Sequence, residues 1–277
     1  MKLKLFSYNF LDTPIHRLSG LTKLVSFLVL TFAVMYSYDI RFILFVTIFS
    51  VIILKVAKIK YSQIRLMIIY VLIFIAINFV LTFLFAPEYG VQLYGTRHEL
   101  FRIFGRYNVT LEQLFYQITK VFKYGSVIPL GIVFLLTTDP SEFAASLNGV
   151  GVPYKVAYAV SLTLRYFPEI QRDYRSISQA QQARGLEMSK KAKFADRFKN
   201  ALMIIIPLIF STIERVEYIS NAMDLRGFGK LKKRTWYSKK KLTTSDYIAI
   251  LASVLIFAVS VLISVFINGS RFYNPFI

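Results

Sequence analysis

Two short runs in this chain place an arginine and then a glycine where a helical pattern stops: Ala183-Arg184-Gly185 and, 42 positions later, Leu225-Arg226-Gly227. An arginine in the last turn of a helix is favoured by the helix dipole. Glycine just beyond it accepts the left-handed backbone with which many helices end. Capping alone accounts for one such end. Two of them, each closing a long helix of one charged insert, also present planar guanidinium groups suited to two-pronged pairing with carboxylates of another protein. Ala183 beside Arg184 lets a partner backbone come close, whereas Leu225 in the matching place offers an apolar anchor.

Other chemistry has little to work with. Cysteine is absent, so the chain has no disulfide framework, thiolate metal site or cysteine nucleophile. Its two histidines, His16 and His98, lie far apart and on opposite expected sides of a membrane, and His98-Glu99 is not followed by the second histidine of a zinc-protease motif. His16 reads as a capping or packing residue of an entry segment and His98 as a solvated loop residue. Gly227-Phe228-Gly229-Lys230 lacks the spacing of a phosphate-binding loop. The expectation is a chain with no catalytic residue, cofactor or metal of its own. The rival reading is an integral membrane enzyme, or a membrane scaffold.

The elements that carry the two ends belong to a membrane protein. The chain has 277 residues, 56% of them hydrophobic and 16% aromatic, with 26 Phe and 18 Tyr, yet a net charge of +19 and a mean hydropathy of +0.53. Lysine and arginine are costly in hydrocarbon and favoured on the cytoplasmic side, so this pairing points to a polytopic chain with basic loops. Nucleic-acid binding is disfavoured because the cations flank apolar runs and do not line one polar face. Residues Lys2 to Leu18 carry polar and charged side chains throughout and do not read as a cleavable signal peptide.

Five segments approach the roughly 20 apolar residues that a spanning helix needs: Leu21 to Tyr38, Arg41 to Ala57, Ile64 to Ala86, Ile118 to Thr137 and Tyr247 to Ile267. The second is short, and the fourth contains Lys120, Lys123 and Pro129, whose lysines are expected to snorkel to the interface. With the N-terminus inside, 27 of the 34 Lys and Arg fall inside, which fixes the expected orientation and leaves the C-terminus outside. Asn78 is the main polar residue deep in a span and is expected to make an interhelical hydrogen bond. A self-sufficient ion-coupled carrier generally needs ionisable groups at membrane depth, so this pattern argues against one. The external loop Pro87 to Gln117 reads as irregular or partly helical. Its triplet Asn108-Val109-Thr110, like Asn268-Gly269-Ser270, matches a glycosylation signal and is assigned no function.

The expected organisation is therefore all-α: residues 1–138 with four spans, a cytoplasmic insert over 139–242, and a last span in 243–277. In the insert, Asp139-Pro140-Ser141-Glu142 opens a short helix ending near Asn148-Gly149. Gly151-Val152-Pro153 restarts the chain, and an apolar segment from Tyr154 runs to Pro168, which is expected to kink or end it. A polar helix follows from Pro168 to Arg184. A third helix, from about Asp196 to Arg226, carries an apolar stripe of Leu202, Ile205, Ile206, Ile209, Ile213 and Val216, with a bend expected at Pro207. Pro153, Pro168 and Pro207 are thus the expected hinges. The basic tract Lys230 to Lys241 reads as an anchor on anionic headgroups of the lipid bilayer, with Trp236 at the interface.

Over nearly its whole length the sequence resembles the transmembrane T component of energy-coupling factor transporters, the EcfT and CbiQ family. The matching stretches are Thr13-Pro14-Ile15-His16-Arg17-Leu18, Thr137-Thr138-Asp139-Pro140 with Gly151-Val152-Pro153, Ser161-Leu162-Thr163-Leu164-Arg165-Tyr166-Phe167-Pro168, and the two Arg-Gly signatures. The resemblance implies a non-catalytic, multi-pass subunit of a prokaryotic plasma membrane. Its two coupling helices would end in Ala-Arg-Gly signatures docked on two cytoplasmic ABC ATPases, which bind the ATP. It also implies a small membrane S component that holds a vitamin or metal ion. The first signature is intact as Ala183-Arg184-Gly185; the second departs from the pattern at Leu225.

Overall fold

A computed structural model describes residues 11–104, 107–187, 193–231 and 235–276. Lys2, Lys4, Arg106 and three cations of the basic tract, Lys232, Lys233 and Arg234, lie outside the described residues. The elements in chain order are α1 (Pro14–Arg17), α2 (Gly20–Tyr36), α3 (Ile40–Val56), α4 (Tyr61–Phe85), α5 (Tyr89–Tyr94), β1 (Glu99–Phe104), β2 (Tyr107–Thr110) and α6 (Leu111–Thr137). They continue with α7 (Pro140–Gly149), α8 (Tyr154–Ala183), α9 (Phe194–Leu225) and α10 (Thr244–Leu262), which runs into a π-helical turn over Ile263–Ile267. The protein is thus an all-α polytopic membrane fold with one small hairpin. It divides into two compact units, Met1–Asp139 with Lys240–Ile277, and Pro140–Lys239.

In the first unit α4, α6 and α10 with its π turn are long and apolar enough to cross a membrane. Helices α2 and α3 have 17 residues each. At about 1.5 Å per residue they reach some 26 Å, just short of a hydrocarbon core of about 30 Å. Leu30, Ala33, Val34, Phe42, Val46 and Leu130 form the buried centre of this unit.

Small residues let α2 and α10 lie close. The Ser19 amide donates to Asp246 Oδ1 at 2.8 Å, Ser253 Oγ to Ser26 Oγ at 3.4 Å, and Ser260 Oγ to the Ala33 carbonyl at 3.1 Å. Each pair is 227 positions apart and each step along either helix is seven residues, so the helices run parallel in one fixed register. Without a hydrophobic drive between helices in lipid, such close small-residue seams carry much of the packing. Asp246 also accepts from the Thr243 amide and hydroxyl, capping α10 with the same carboxylate that holds the start of α2.

The antiparallel pair α2 and α6 is joined by two lysines. Lys23, near the start of α2, donates to the Thr137 carbonyl at the end of α6 at 2.6 Å. Lys123 of α6 donates to the Met35 and Ser37 carbonyls at the end of α2, at 2.8 and 3.2 Å, with its ammonium 3.2 Å from the centre of the Tyr38 ring. Each cation satisfies carbonyls that a helix end leaves unpaired and lies where the dipole favours positive charge. Lys123 is only 2% exposed, so it does not snorkel as the sequence reading expects. Helix-end carbonyls replace water as its partners. Lys120 instead donates to Thr82 Oγ1 of α4 at 2.8 Å.

The loop Pro87 to Gln117, expected to be irregular or partly helical, is partly helical and also carries a hairpin. After α5, β1 and β2 pair antiparallel, and α6 begins at Leu111, seven residues before the expected span. Buried Glu112 accepts from the His98 amide and ring, fixing the hairpin on the first turn of α6. Asn108 is only 3% exposed, which leaves no room for a glycan. The Asn78 side chain makes no hydrogen bond among the described residues, against the interhelical bond expected of it. Helix α4 packs only lightly on its neighbours and presents nearly all its surface outward.

Candidate docking site

The second unit is built on α8 and α9. Helix α8 is continuous from Tyr154 to Ala183 with Pro168 inside it, so the boundary expected at Pro168 is absent. A proline removes one intrahelical hydrogen bond and crowds the carbonyl four residues back. Thirty residues of helix with the packing of α9 against one side outweigh that local loss. Pro207 likewise lies inside α9, whereas Pro153 is the residue before the first turn of α8.

Arg215 of α9 crosses to Asp173 of α8 at 2.6 Å and to Glu169, one turn earlier, at 3.5 Å. Ile204, fully buried, lies on the same side of α9. The expected apolar stripe is on the opposite side. Leu202, Ile205, Ile206, Ile209, Ile213 and Val216 are all exposed, from 39% to 59%. That face is left for lipid or for another protein.

The two Arg-Gly ends have the same backbone. Arg184 is the last half-helical residue of α8 and Gly185 stands at φ +92°; the Gly185 amide donates to the Gln182 carbonyl and the Leu186 amide to the Gln181 carbonyl. Arg226 follows α9 with Gly227 at φ +67°, the Gly227 amide donating to Asp224 and the Phe228 amide to Met223. Both are complete Schellman closures, which need a residue that tolerates the left-handed region and satisfy the last carbonyls internally. The capping reading is therefore correct for the backbone, and the guanidinium groups are not needed for it. Both arginines are exposed, and neither side chain pairs with a carboxylate among the described residues.

Their surroundings differ. Space around Gly185 is open. Beyond Gly227, the Phe228 ring packs on Tyr154 and Tyr158 at the start of α8, with centroids 5.6 and 4.8 Å away. Tyr158 also meets Trp236, whose indole N–H donates to Asn148 Oδ1 at 3.0 Å. Trp236 is thus tied to α7, which the interface-anchor reading missed. Leu225 is 90% exposed, so it offers an apolar side chain beside Arg226 where Ala183 offers almost none.

Because Phe228 touches the start of α8 while Arg215 touches its middle, α9 runs back along α8. The two Arg-Gly ends consequently point away from each other. Each arginine lies eleven residues beyond the ion-pair residue of its own helix, Arg184 beyond Asp173 and Arg226 beyond Arg215, about 16 Å along that helix. No group of His, Asp and Glu that could hold a metal occurs among the described residues.

The family model described as cobalt transport protein, CbiQ, matches residues 12–237. The energy-coupling factor transporter transmembrane protein EcfT of Exiguobacterium sibiricum is 28% identical over 184 residues, 64% of this chain and 66% of that protein. The EcfT of Streptococcus thermophilus is 24% identical over 270 residues, covering 91% and 94%. The chain thus spans just under two thirds of the first relative and nearly all of the second. A putative ABC transporter ATP-binding protein of Bifidobacterium longum is 30% identical over 148 residues, half of this chain but 19% of that protein.

Proposed function

We propose, for a chain that belongs to the CbiQ family of transmembrane transport proteins and its EcfT branch, that it is the coupling subunit of an ATP-driven importer. Its two Arg-Gly ends dock on two cytoplasmic ABC ATPases. The observation that carries this reading is the pair of solvent-facing guanidinium groups on identical helix closures, held at equal arms from one ion pair. The similarity of a stretch of the Bifidobacterium ATP-binding protein to half of this chain supports the link between this kind of membrane segment and an ATPase.

In this reading, closure of the two ATPases on ATP moves two helix ends that lie on opposite sides of the Asp173–Arg215 contact. The helices carry the motion to a membrane S component, which binds a vitamin or metal ion. The exposed apolar face of α9 suits a lipid-embedded surface of that kind. The chain itself supplies no ATP site and no catalytic group, and the insert 139–242 is the coupling region between the spans of 1–138 and 243–277.

Arg184→Ala and Arg226→Ala test it. Each variant inserts into the membrane normally but loses ATPase subunits on purification or hydrolyses ATP without uptake. Arg184→Lys keeps the charge, loses the two-pronged geometry and has an intermediate effect. If both alanine variants assemble and transport as wild type does, the docking assignment is wrong.

A further inference from the structure

The insert joins the first unit through two stretches of chain, residues 138–140 after α6 and 239–243 before α10. The residues at their membrane ends, Thr137 and Thr243, are 106 positions apart in sequence. One turn at the start of α2 holds both.

Lys23 donates to the carbonyl of Thr137, the last residue of α6, and to the His16 carbonyl at 3.3 Å. Four residues earlier the Ser19 amide donates to Asp246 Oδ1, while Asp246 Oδ2 accepts from the Thr243 amide and hydroxyl. Thr22 lies between them. Its hydroxyl is 2.9 Å from Ser19 Oγ and also bonds to the Asp246 carboxylate. Ser19, Thr22, Lys23, Thr137 and Asp246 are all buried. A hydrogen bond lost from a buried charged group leaves its partner unsatisfied, so neither exit can slide along α2 without a desolvation cost. Helix α2 is also tied near its other end, where Lys123 of α6 donates to the Met35 carbonyl and Ser260 of α10 to the Ala33 carbonyl. The three helices are thereby joined at both ends.

We infer that Ser19, Thr22, Lys23 and Asp246 are positioning residues of a clasp that holds the two exits of the insert at a fixed separation, an inference that rests on reading 139–242 as the coupling region. A displacement of the coupling helices then reaches α2, α6 and α10 as the movement of one block. Without the clasp it is absorbed as slack where the chain leaves and re-enters the membrane.

Cysteine is absent from the chain, so spin labels attach only where a cysteine is introduced. Leu135→Cys and Thr244→Cys, at two exposed positions, mark the two exits, and the distance between the labels is measured by pulsed electron resonance. The labelled full chain is compared alone and with its ATPase subunits, which hold ADP or a non-hydrolysable ATP analogue. With the clasp intact, one narrow distance persists in every state. Lys23→Met and Thr22→Val each give a second distance, its population raised about tenfold by the loss of one hydrogen bond of a charged group. In the complex its share changes with the nucleotide. Thr22→Ser keeps the hydroxyl and behaves as wild type, and Thr22→Val carries the test if Lys23→Met prevents extraction. A wild-type distance that changes with nucleotide, or a single unchanged distance in the variants, overturns the clasp. The measurement on the chain alone involves no docking, so it stays decisive even if the Arg184 and Arg226 assignment fails.

Discussion

Asp173 and Arg215 meet at 2.6 Å across α8 and α9, 42 positions apart, and Arg184 and Arg226 are separated by the same 42 positions. The ion pair therefore joins equivalent points of two helices whose ends are equivalent too. Both side chains are about 30% exposed, so the pair is partly screened. Its role is to fix where one helix crosses the other more than to add stability.

Reversing the pair tests that role. Asp173→Arg alone and Arg215→Asp alone each place like charges in contact, and Arg215→Asp faces Glu169 as well. The double exchange restores an opposite pair, though Glu169 then faces an aspartate. A double-mutant cycle on thermal stability is expected to show a coupling of about 1 kcal/mol, and ATP-linked uptake to recover in the double variant. Additive losses would show that the contact sets nothing.

The two ends should differ in mobility. Gly185 has open space around it, while the α9 end is held by Phe228 between Tyr154 and Tyr158. Amide hydrogen exchange is expected to be faster at residues 181–187 than at 223–231, because local opening is easiest where few contacts cover the backbone. Phe228→Ala should raise exchange at the α9 end and leave the α8 end unchanged. Gly185→Ala and Gly227→Ala should each cost about 1 kcal/mol through left-handed strain, since φ is +92° and +67°. Equal protection of the two ends in wild type would show that Phe228 does not hold the α9 end.

Buried Lys123 predicts a large, specific loss. Lys123→Met keeps most of the side-chain volume but leaves the Met35 and Ser37 carbonyls without their donor. The cost should be about 1–3 kcal/mol, read as a fall in midpoint during thermal unfolding in detergent. Lys120→Met removes one hydrogen bond, to Thr82 of α4, and a distant contact with the Tyr116 ring, and should cost less than half as much. Comparable losses in the two variants would mean that the α2 cap is unimportant.

Much of this was legible beforehand, for reasons visible in particular residues. Long apolar runs and glycine stops placed α2, α4, α9 and the two Schellman ends within a few residues. Pro168 misled as a helix end, because its local penalty says nothing of the thirty-residue helix around it. Lys123 misled in the opposite way, since composition cannot show that carbonyls at the end of another helix stand ready to receive an ammonium group. The Ser19-Ser26-Ala33 and Asp246-Ser253-Ser260 series, spaced by seven, was a usable signal for the α2–α10 seam that hydropathy alone passes over. In the sequence Phe228 stands between two glycines, far from Tyr154 and Tyr158, and only the return of α9 along α8 brings these rings together.

His16 gives the membrane unit a defined acid sensitivity. Its ring is 1% exposed, with Nδ1 2.7 Å from Thr13 Oγ1, and desolvation together with the charges of Lys23 and Lys240 lowers its pKa below the ordinary 6.5. The neutral ring is therefore the form that the fold accepts, and between the folded and unfolded pKa values the unfolded chain binds more protons. Stability from this group is complete above about pH 6.5 and is lost as pH falls from there through the lower folded value. Between about pH 8 and pH 5, the unfolding midpoint of wild type should fall more than that of His16→Gln, whose amide carries no proton equilibrium. Carboxylates titrate in both proteins, so the difference between the two curves isolates the imidazole. Parallel curves would show that His16 is as easily protonated in the folded chain as in the unfolded one.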